Sequence, residues 1–397
     1  MNRKRVIIIG AGAAGLTASV FAAEAGALVT LLEHNEKPGK KICATGNGKC
    51  NFTNERMSGD VFRGTHPEFA ENILCQFPPE AVIAFFEKLG IFPVKKNGYY
   101  YPRSGQASSV AELLVREARY RGVKIKTNAH ADAVFCEKGI WKVVSGGWTY
   151  QGDAVILANG SSASSIAGAD GSGYDLARAL GHHVIPPMAA LCPLKCSRPK
   201  GRKSFAGWAG VRTEGTVTLK IKGDQDRSQS GELQLTEYGI SGIPVFQLSR
   251  YAVRAIADGK EVSARLNFLP EISKEELPAF LEKRRSHCHE KSDQELLKGL
   301  FPDKLIKVLC QEPELASAIH SYPLIVKGGS SIQQAQVCSG GVDTEELDPE
   351  TLESRLHPGL YMAGELIDID GTCGGYNLQW AWSSGAAAGL HAAKEQL

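Results

Sequence analysis

Val6-Ile7-Ile8-Ile9-Gly10-Ala11-Gly12-Ala13-Ala14-Gly15 is the stretch whose reading decides the fold. Four consecutive apolar β-formers predict a strand buried on both faces. The glycines that follow have G-x-G-x-x-G spacing, and Leu16 to Ala25 has helical composition, with Leu16, Val20 and Phe21 on one face. A second strand, Ala27 to Leu32, ends at Glu33. Each part suits a dinucleotide. Gly10 permits a sharp turn, Gly12 lets a pyrophosphate approach the backbone, and Gly15 lets helix and strand pack closely. The orphan N–H groups of the helix start face the diphosphate. Glu33, about 20 residues past the glycines, is placed to accept from the adenosine ribose hydroxyls. The bland alternative is a β-α-β turn that binds nothing, and the joint presence of strand, helix, second strand and terminal acid weighs against it.

The 397-residue length points to two or three domains. Hydrophobic content of 43% and charged content of 22% are those of an ordinary globular protein. A net charge of +2 offers no electrostatic argument for nucleic acid or a membrane surface as partner. The basic start, Arg3-Lys4-Arg5, superficially resembles a signal peptide, but its apolar run is interrupted by the glycines and continues to Glu33. No apolar run is long enough to span a bilayer. The ten cysteines are scattered, which suits free thiols in a reducing cytoplasm.

Beyond Glu33, residues 37–54 carry lysines, closely spaced glycines and amides. They read as extended chain laid along a ligand, with a solvated surface loop as the alternative. Residues 67–90 and 106–121 have helical periodicity around a turn at Tyr99 to Pro102, and Val123 to Lys126 and Ala131 to Val144 read as strands. Asp153 to Gly160 is another buried strand, ending in a small-residue turn at Ser161 to Ser165, and a helix follows within Gly168 to Leu180. Composition shifts at Pro186-Pro187. Short β-like runs within 188–268, such as Gly215 to Ile221 and Val262 to Phe268, suggest a small barrel or sandwich. An embedded helix runs through Pro244 to Ile256, with Ser241 as its expected N-cap. Residues 271–320 are charged and helical, and Ser321 to Val337 returns to strand character. Near the C-terminus, Gly359 to Glu365 is a short strand, and Gly374-Gly375-Tyr376-Asn377 opens a last helix, Leu378 to Ala393. This second glycine-rich helix start implies a second place where backbone N–H groups meet an electron-rich ligand.

Taken together, GAGAAG with Glu33, Asn159-Gly160 after a buried strand, and GLYMAGE at 359–365 resemble FAD-binding proteins of the glutathione-reductase-like class. ATGNGKCNFTN, LTEYGISG, SGGV and GGYNLQWAWSSG narrow the resemblance to single-Rossmann bacterial flavoproteins of the aminoacetone-oxidase and bile-acid Δ4,6-reductase type. The resemblance implies an α/β fold: a discontinuous FAD domain (1–187 and 338–397), an inserted β-barrel substrate domain (188–270 and 321–337) and a helical insert (271–320). It also implies the FAD contacts. Gly10, Gly12, Ala14 and Gly15 would hold the pyrophosphate, Glu33 the ribose, and Lys40 and Lys41 would lie near the phosphates. Gly46, Asn47, Gly48, Cys50 and Asn51 would run beside the ribityl chain and flavin ring. Ala131 would contact adenine, with Ala158 and Gly160 after the buried strand. Gly364 and Glu365 would reach the ribityl and phosphate region. Gly375, Tyr376, Asn377 and Leu378 would sit at the pyrimidine edge. Cys373 and Glu237 depart from the family pattern, where many members have Thr and His.

The implied activity is an FAD-dependent oxidoreductase passing hydride through flavin N5. The expected donor is NAD(P)H, bound transiently because no second dinucleotide fingerprint exists, and the expected acceptor is an unsaturated ketone or acid of small size. An amine or aminoketone oxidase producing peroxide, a non-catalytic redox or docking protein, and an RNA-modifying flavoenzyme are the alternatives. The near-neutral charge goes against the last. Candidate proton donors are Glu237, Tyr238, Cys373 and Tyr376, with Ser241 as a further one that also reads as a helix cap and Tyr376 as a packing residue. Cys192 and Cys196, and His287-Cys288-His289, do not have convincing zinc spacing, and no metal is expected.

Overall fold

The computed structural model describes residues 3–164, 168–287 and 290–394. Ser165, Cys288 and His289 lie outside them. Two compact units result, Met1–Pro187 with Val337–Leu397, and Met188–Gln336.

In the first unit the apolar runs form a five-stranded parallel sheet in the order Leu360–Met362, Ala154–Leu157, Arg5–Ile9, Leu28–Leu32, Lys124–Lys126. Val6, Ile7, Ile8 and Ile9 are all buried, as both-face coverage by helices demands. The first helix, Ala13–Glu24, starts three residues earlier than composition suggests, directly after Gly12. It lies against the C-terminal helix, Tyr376–Ala393, at a contact made of small residues. A Cβ on Gly385 or Gly389 would come within 2.4 Å of the Ala14 or Ala18 carbonyl oxygen, so only glycine permits this approach. An antiparallel meander, Ala133–Glu137, Ile140–Ser145 and Trp148–Gly152, packs beside the sheet.

Two expectations for this unit need correction. Tyr99–Pro102 is a strand, not a turn, paired with Pro93–Lys96 and with Thr53–Asn54. Aromatic residues favour that pleated, half-buried setting. Residues 37–54 are not extended throughout: Lys40–Ala44 is a helical turn and Thr45–Gly48 a tight turn, because Gly39, Gly46 and Gly48 supply left-handed conformations.

In the second unit a closed six-stranded antiparallel barrel runs Leu194–Ser197, Gly239–Ser241, Arg227–Leu235, Arg212–Ile221, Val262–Asn267, Tyr322–Gly329. Closure leaves no free sheet edge. Val217, Leu219, Val245, Leu248 and Ala252 share one apolar core, so the helix Ile243–Ala257 packs its buried face onto barrel strands. Ser241 is not that helix's cap. It ends a strand, and Gly242, at φ +104° and within 2.4 Å (as a Cβ) of the Glu232 carbonyl, takes the N-cap position with no side-chain bond. Helices Leu277–His287, Asp293–Leu297, Asp303–Leu309 and Leu315–His320 lie between the last two barrel strands in sequence.

Candidate active site

The site in the first unit is built where the parallel strands end. The chain turns at Gly10 (φ +99°), whose Cβ would sit 2.4 Å from the Ala158 carbonyl oxygen. A Cβ on Gly15 would be 1.8 Å from the Gly10 carbonyl oxygen. Both glycines are therefore required by protein packing. Gly12 is different: a Cβ there meets nothing within 4 Å. The helix it precedes has no side-chain cap and no acid in its first turn, so its N–H groups and positive dipole end are left for an anion. Glu33 is buried immediately after the second strand. Its Oε2 accepts from the Ala11 N–H at 2.8 Å and its Oε1 from the Asn35 backbone and side-chain amides at 2.8 and 2.9 Å. The carboxylate thus braces the glycine turn while keeping one Oε2 lone pair for a further donor. Ala129 N–H donates to the Glu33 carbonyl at 2.8 Å, which brings buried Ala131 close in the chain to the same strand end.

A second group of residues meets beside it. Lys41 Nζ is 2.5 Å from Glu365 Oε2 and 3.4 Å from Ser161 Oγ, and Ser161 donates to the same Glu365 oxygen at 2.8 Å. Lys40 turns the other way, to Asn35 Oδ1 at 3.1 Å. Gly364 (φ +74°) faces Ala14, with a Cβ 2.8 Å from the Ala14 methyl. Between these groups, Gly46, Asn47, Gly48 and Cys50 all have positive φ. For Cys50 this left-handed backbone costs about 1–2 kcal/mol, and for Asn47, a residue type that tolerates it, less; such outliers concentrate at ligand sites. The Cys50 thiol is buried and pushed up to about 12 by desolvation, which keeps it protonated and unreactive.

The C-terminal helix start supplies the third part. Gly375 (φ +91°) brings the backbone against the Asn51 side chain and the Thr53 carbonyl, where a Cβ would be 2.9 Å from each oxygen. Asn54 Nδ2 donates to the Gly374 carbonyl at 2.9 Å. Asn377 is folded back onto Gly371, accepting from its N–H and donating to its carbonyl at 2.8 Å each, so its side chain shapes the preceding loop. Tyr376 is buried edge-on to Phe62, and desolvation raises its phenol above the usual value. The Cys373 thiol is pushed up to about 12 by burial, with Arg63 opposing. Leu378 packs partly buried against the core.

Glu237 and Tyr238 belong to the second unit. They form the exposed turn between Arg227–Leu235 and Gly239–Ser241, held by Thr236 N–H to the Gly239 carbonyl at 3.0 Å. Cys192 is buried in that unit with its thiol raised by desolvation, and the Cys196 thiol is pushed up to about 12 by the same cause.

Asp368 opens a stretch, Asp368 to Thr372, that reads in sequence as a polar loop, yet the acid is a buried structural residue. Buried between Ile367 and Ile369, it accepts from the Thr65 N–H and hydroxyl at 2.8 Å and from the Gly340 N–H at 2.9 Å, tying three loops together. An acid alternating with isoleucines was the available signal. Gln379 plays a similar part inside the C-terminal helix, accepting from Thr53 at 2.5 Å and donating to the Phe77 carbonyl at 2.9 Å.

The open position at Gly12, the uncapped helix start and the buried Glu33 carboxylate together fit the diphosphate and ribose of FAD. Residues 4–391 match the family described as the HI0933-like protein Rossmann domain. The chain belongs to this family. Among relatives, a 3-dehydro-bile acid Δ(4,6)-reductase of Clostridium scindens is 42% identical, the alignment covering 98% of this chain and 99% of the relative. A ribosomal RNA dihydrouridine synthase of Escherichia coli is 31% identical, over 97% of this chain and 96% of the relative. The solved 3-ketosteroid-Δ4-(5α)-dehydrogenase of Rhodococcus jostii has the same fold at 15% identity, with a TM-score of 0.50 over 99% of this chain and 97% of that one. The HI0933-like chain is an α/β enzyme with an FAD-binding Rossmann sheet and an antiparallel barrel, and it is an FAD-dependent oxidoreductase.

Proposed function

We propose that this enzyme reduces a carbon–carbon double bond conjugated to a carbonyl, in a ring-bearing small molecule, with NAD(P)H as electron donor. The observation that carries the reading is the chemistry shared by the two named relatives. A 3-oxo-4,6-diene and the uracil ring both present an alkene activated by a carbonyl. Reduction of either needs a hydride at the electrophilic end of the conjugated system and a proton at a carbon that shares the resulting enolate charge.

Bound FAD would supply the hydride. In this reading Gly10, Gly12, Ala14 and Gly15 hold its diphosphate and Glu33 its ribose. Lys41 and Glu365 flank the phosphate and ribityl region as a neutralised pair, with Ala131, Ala158 and Gly160 lining the adenosine side. The 46–51 turn and the Gly375–Leu378 helix start frame the ring, the helix dipole favouring negative charge there by roughly 0.3–2 kcal/mol. Tyr376 Oη holds its proton well past neutral pH because burial disfavours the phenolate. It is the proton donor this reading favours, with Cys373, Glu237 and Tyr238 as the other candidates. The barrel unit would be the substrate domain. All nine described cysteines are unbridged, which supports a reducing, cytoplasmic setting, and among the described residues no helix is long and apolar enough to cross a membrane.

Anaerobic rapid mixing with NADH and NADPH tests the donor: bleaching of the flavin by either, followed by recolouring with a cyclic enone or dienone, is the expected result. Reoxidation by dioxygen alone after an amine or aminoketone has bleached the flavin would instead establish an oxidase. A second reading, uridine in RNA, draws on the Escherichia coli relative and on the exposed cations Lys195, Lys200, Arg202 and Lys203, which crowd one short segment of a near-neutral chain. Dihydrouridine formed in ribosomal RNA, with binding that weakens steeply with salt, would decide for it.

A further inference from the structure

We propose that His34, His130 and Asp170 form a binding site for one divalent transition-metal ion of the zinc type. Three segments far apart in sequence bring one ligand atom each to this point. All three atoms lie within 4.8 Å of one another. His34 Nδ1 is 3.4 Å and His130 Nε2 3.8 Å from Asp170 Oδ2. Bonds of about 2.0–2.1 Å from a tetrahedral ion place its ligand atoms about 3.3–3.4 Å apart. One edge of that tetrahedron is therefore already set, the second needs a shift of a few tenths of an ångström, and the edge between the two histidine nitrogens, within 4.8 Å, closes by a side-chain rotation of up to about 1.4 Å.

The surrounding bonds orient the ligands. Asp132 Oδ1 is 3.1 Å from His130 Nδ1, and Asp132 is itself fixed by the Gly146 N–H at 2.9 Å. A carboxylate at Nδ1 keeps the proton on that nitrogen and leaves the Nε2 lone pair for an ion, the arrangement found behind metal-bound histidines. Asp170 Oδ1 accepts from the Ser172 N–H at 3.0 Å, which leaves Oδ2 to face the two imidazoles. The two imidazoles meet edge to face at a centroid distance of 4.8 Å, so both nitrogens converge without the rings competing for space. The side chains are 39–48% exposed, enough for an ion to enter and for water to complete its shell. Two neutral histidines and one carboxylate suit zinc, nickel or copper rather than calcium or magnesium. Unlike Cys192/Cys196 and His287–His289, which are neighbours in sequence, these ligands come from three separate loops.

The proposal does not depend on FAD, although His34 follows Glu33 and His130 precedes Ala131. The test is calorimetric titration of chelator-treated holoprotein with Zn2+, comparing wild type with His34→Ala, Asp170→Asn and Asp132→Asn. The expected result is one ion per chain, lost in His34→Ala and Asp170→Asn, and weakened about tenfold with unchanged stoichiometry in Asp132→Asn. Retained circular dichroism and flavin absorbance show that each variant has folded. Titration that shows no saturable one-to-one binding, or binding that His34→Ala and Asp170→Asn leave intact, overturns it: the cluster would then be His–Asp ion pairs, or the ion would sit on thiols.

Discussion

Two helices of the Rossmann unit, Ala13–Glu24 and Tyr376–Ala393, begin after a glycine, but the two surroundings differ. A methyl group on Gly12 would meet nothing within 4 Å, while one on Gly375 would press on Asn51 Oδ1 and the Thr53 carbonyl at 2.9 Å. Gly12 also has an ordinary φ of −80°, whereas Gly375 is at +91°. No protein atom requires the first to be glycine, and in the proposed reading a bound diphosphate does. The second is needed by the polypeptide itself. Stability and cofactor retention should therefore separate cleanly between the two helix starts, and substitutions can break or sharpen that contrast.

The largest effect on folding is expected at Gly15→Ala, whose new carbon would lie 1.8 Å from the Gly10 carbonyl oxygen. Forcing strand and helix apart should cost about 3 kcal/mol, read as a lower denaturant midpoint with flavin lost alongside. Gly375→Ala comes next, at about 2 kcal/mol, because a left-handed residue and a close contact are both penalised. A smaller effect comes from pH. His182 is buried, 2.7 Å from Glu346 and 2.9 Å from Ser354 Oγ, and desolvation lowers its pKa below the unfolded value of about 6.5. The unfolded chain then takes up the proton first. Its contribution is full above about pH 6.5 and is lost as pH falls through the folded pKa. The denaturant midpoint should drop between neutral and mildly acidic pH, with a shallower slope in His182→Gln. Gly12→Ala should change stability least, by under about 0.5 kcal/mol, yet purify with little or no flavin absorbance. A destabilised but yellow Gly12→Ala protein would erase the contrast.

Much of the Rossmann unit was legible because its signals are local. The apolar runs at 6–9 and 154–157 and the spacing of Gly10, Gly12 and Gly15 define strands and turn within a few residues of each other. Signals that depend on tertiary partners were not. Ser241 has the composition of a cap, but the barrel takes it as a strand end and hands the cap to Gly242. Tyr99–Pro102 looks like a turn until Thr53–Asn54 pairs with it. Lys41 was legible as a cation, but Glu365 and Ser161, which engage it, lie more than a hundred residues away. The side chain of Asn377 spends its bonds on Gly371, a choice that no motif records.

The discontinuity of the Rossmann unit carries a consequence for biosynthesis. The first helix, residues 13–24, rests on residues 376–393, and the edge strand 360–362 completes its sheet. Emerging from the ribosome early, that helix must wait for nearly the whole polypeptide before its small-residue bed exists, whereas the barrel can close while translation continues. Chains stalled late in synthesis would therefore display a bare apolar sheet beside a finished barrel, and chaperones would have reason to hold them.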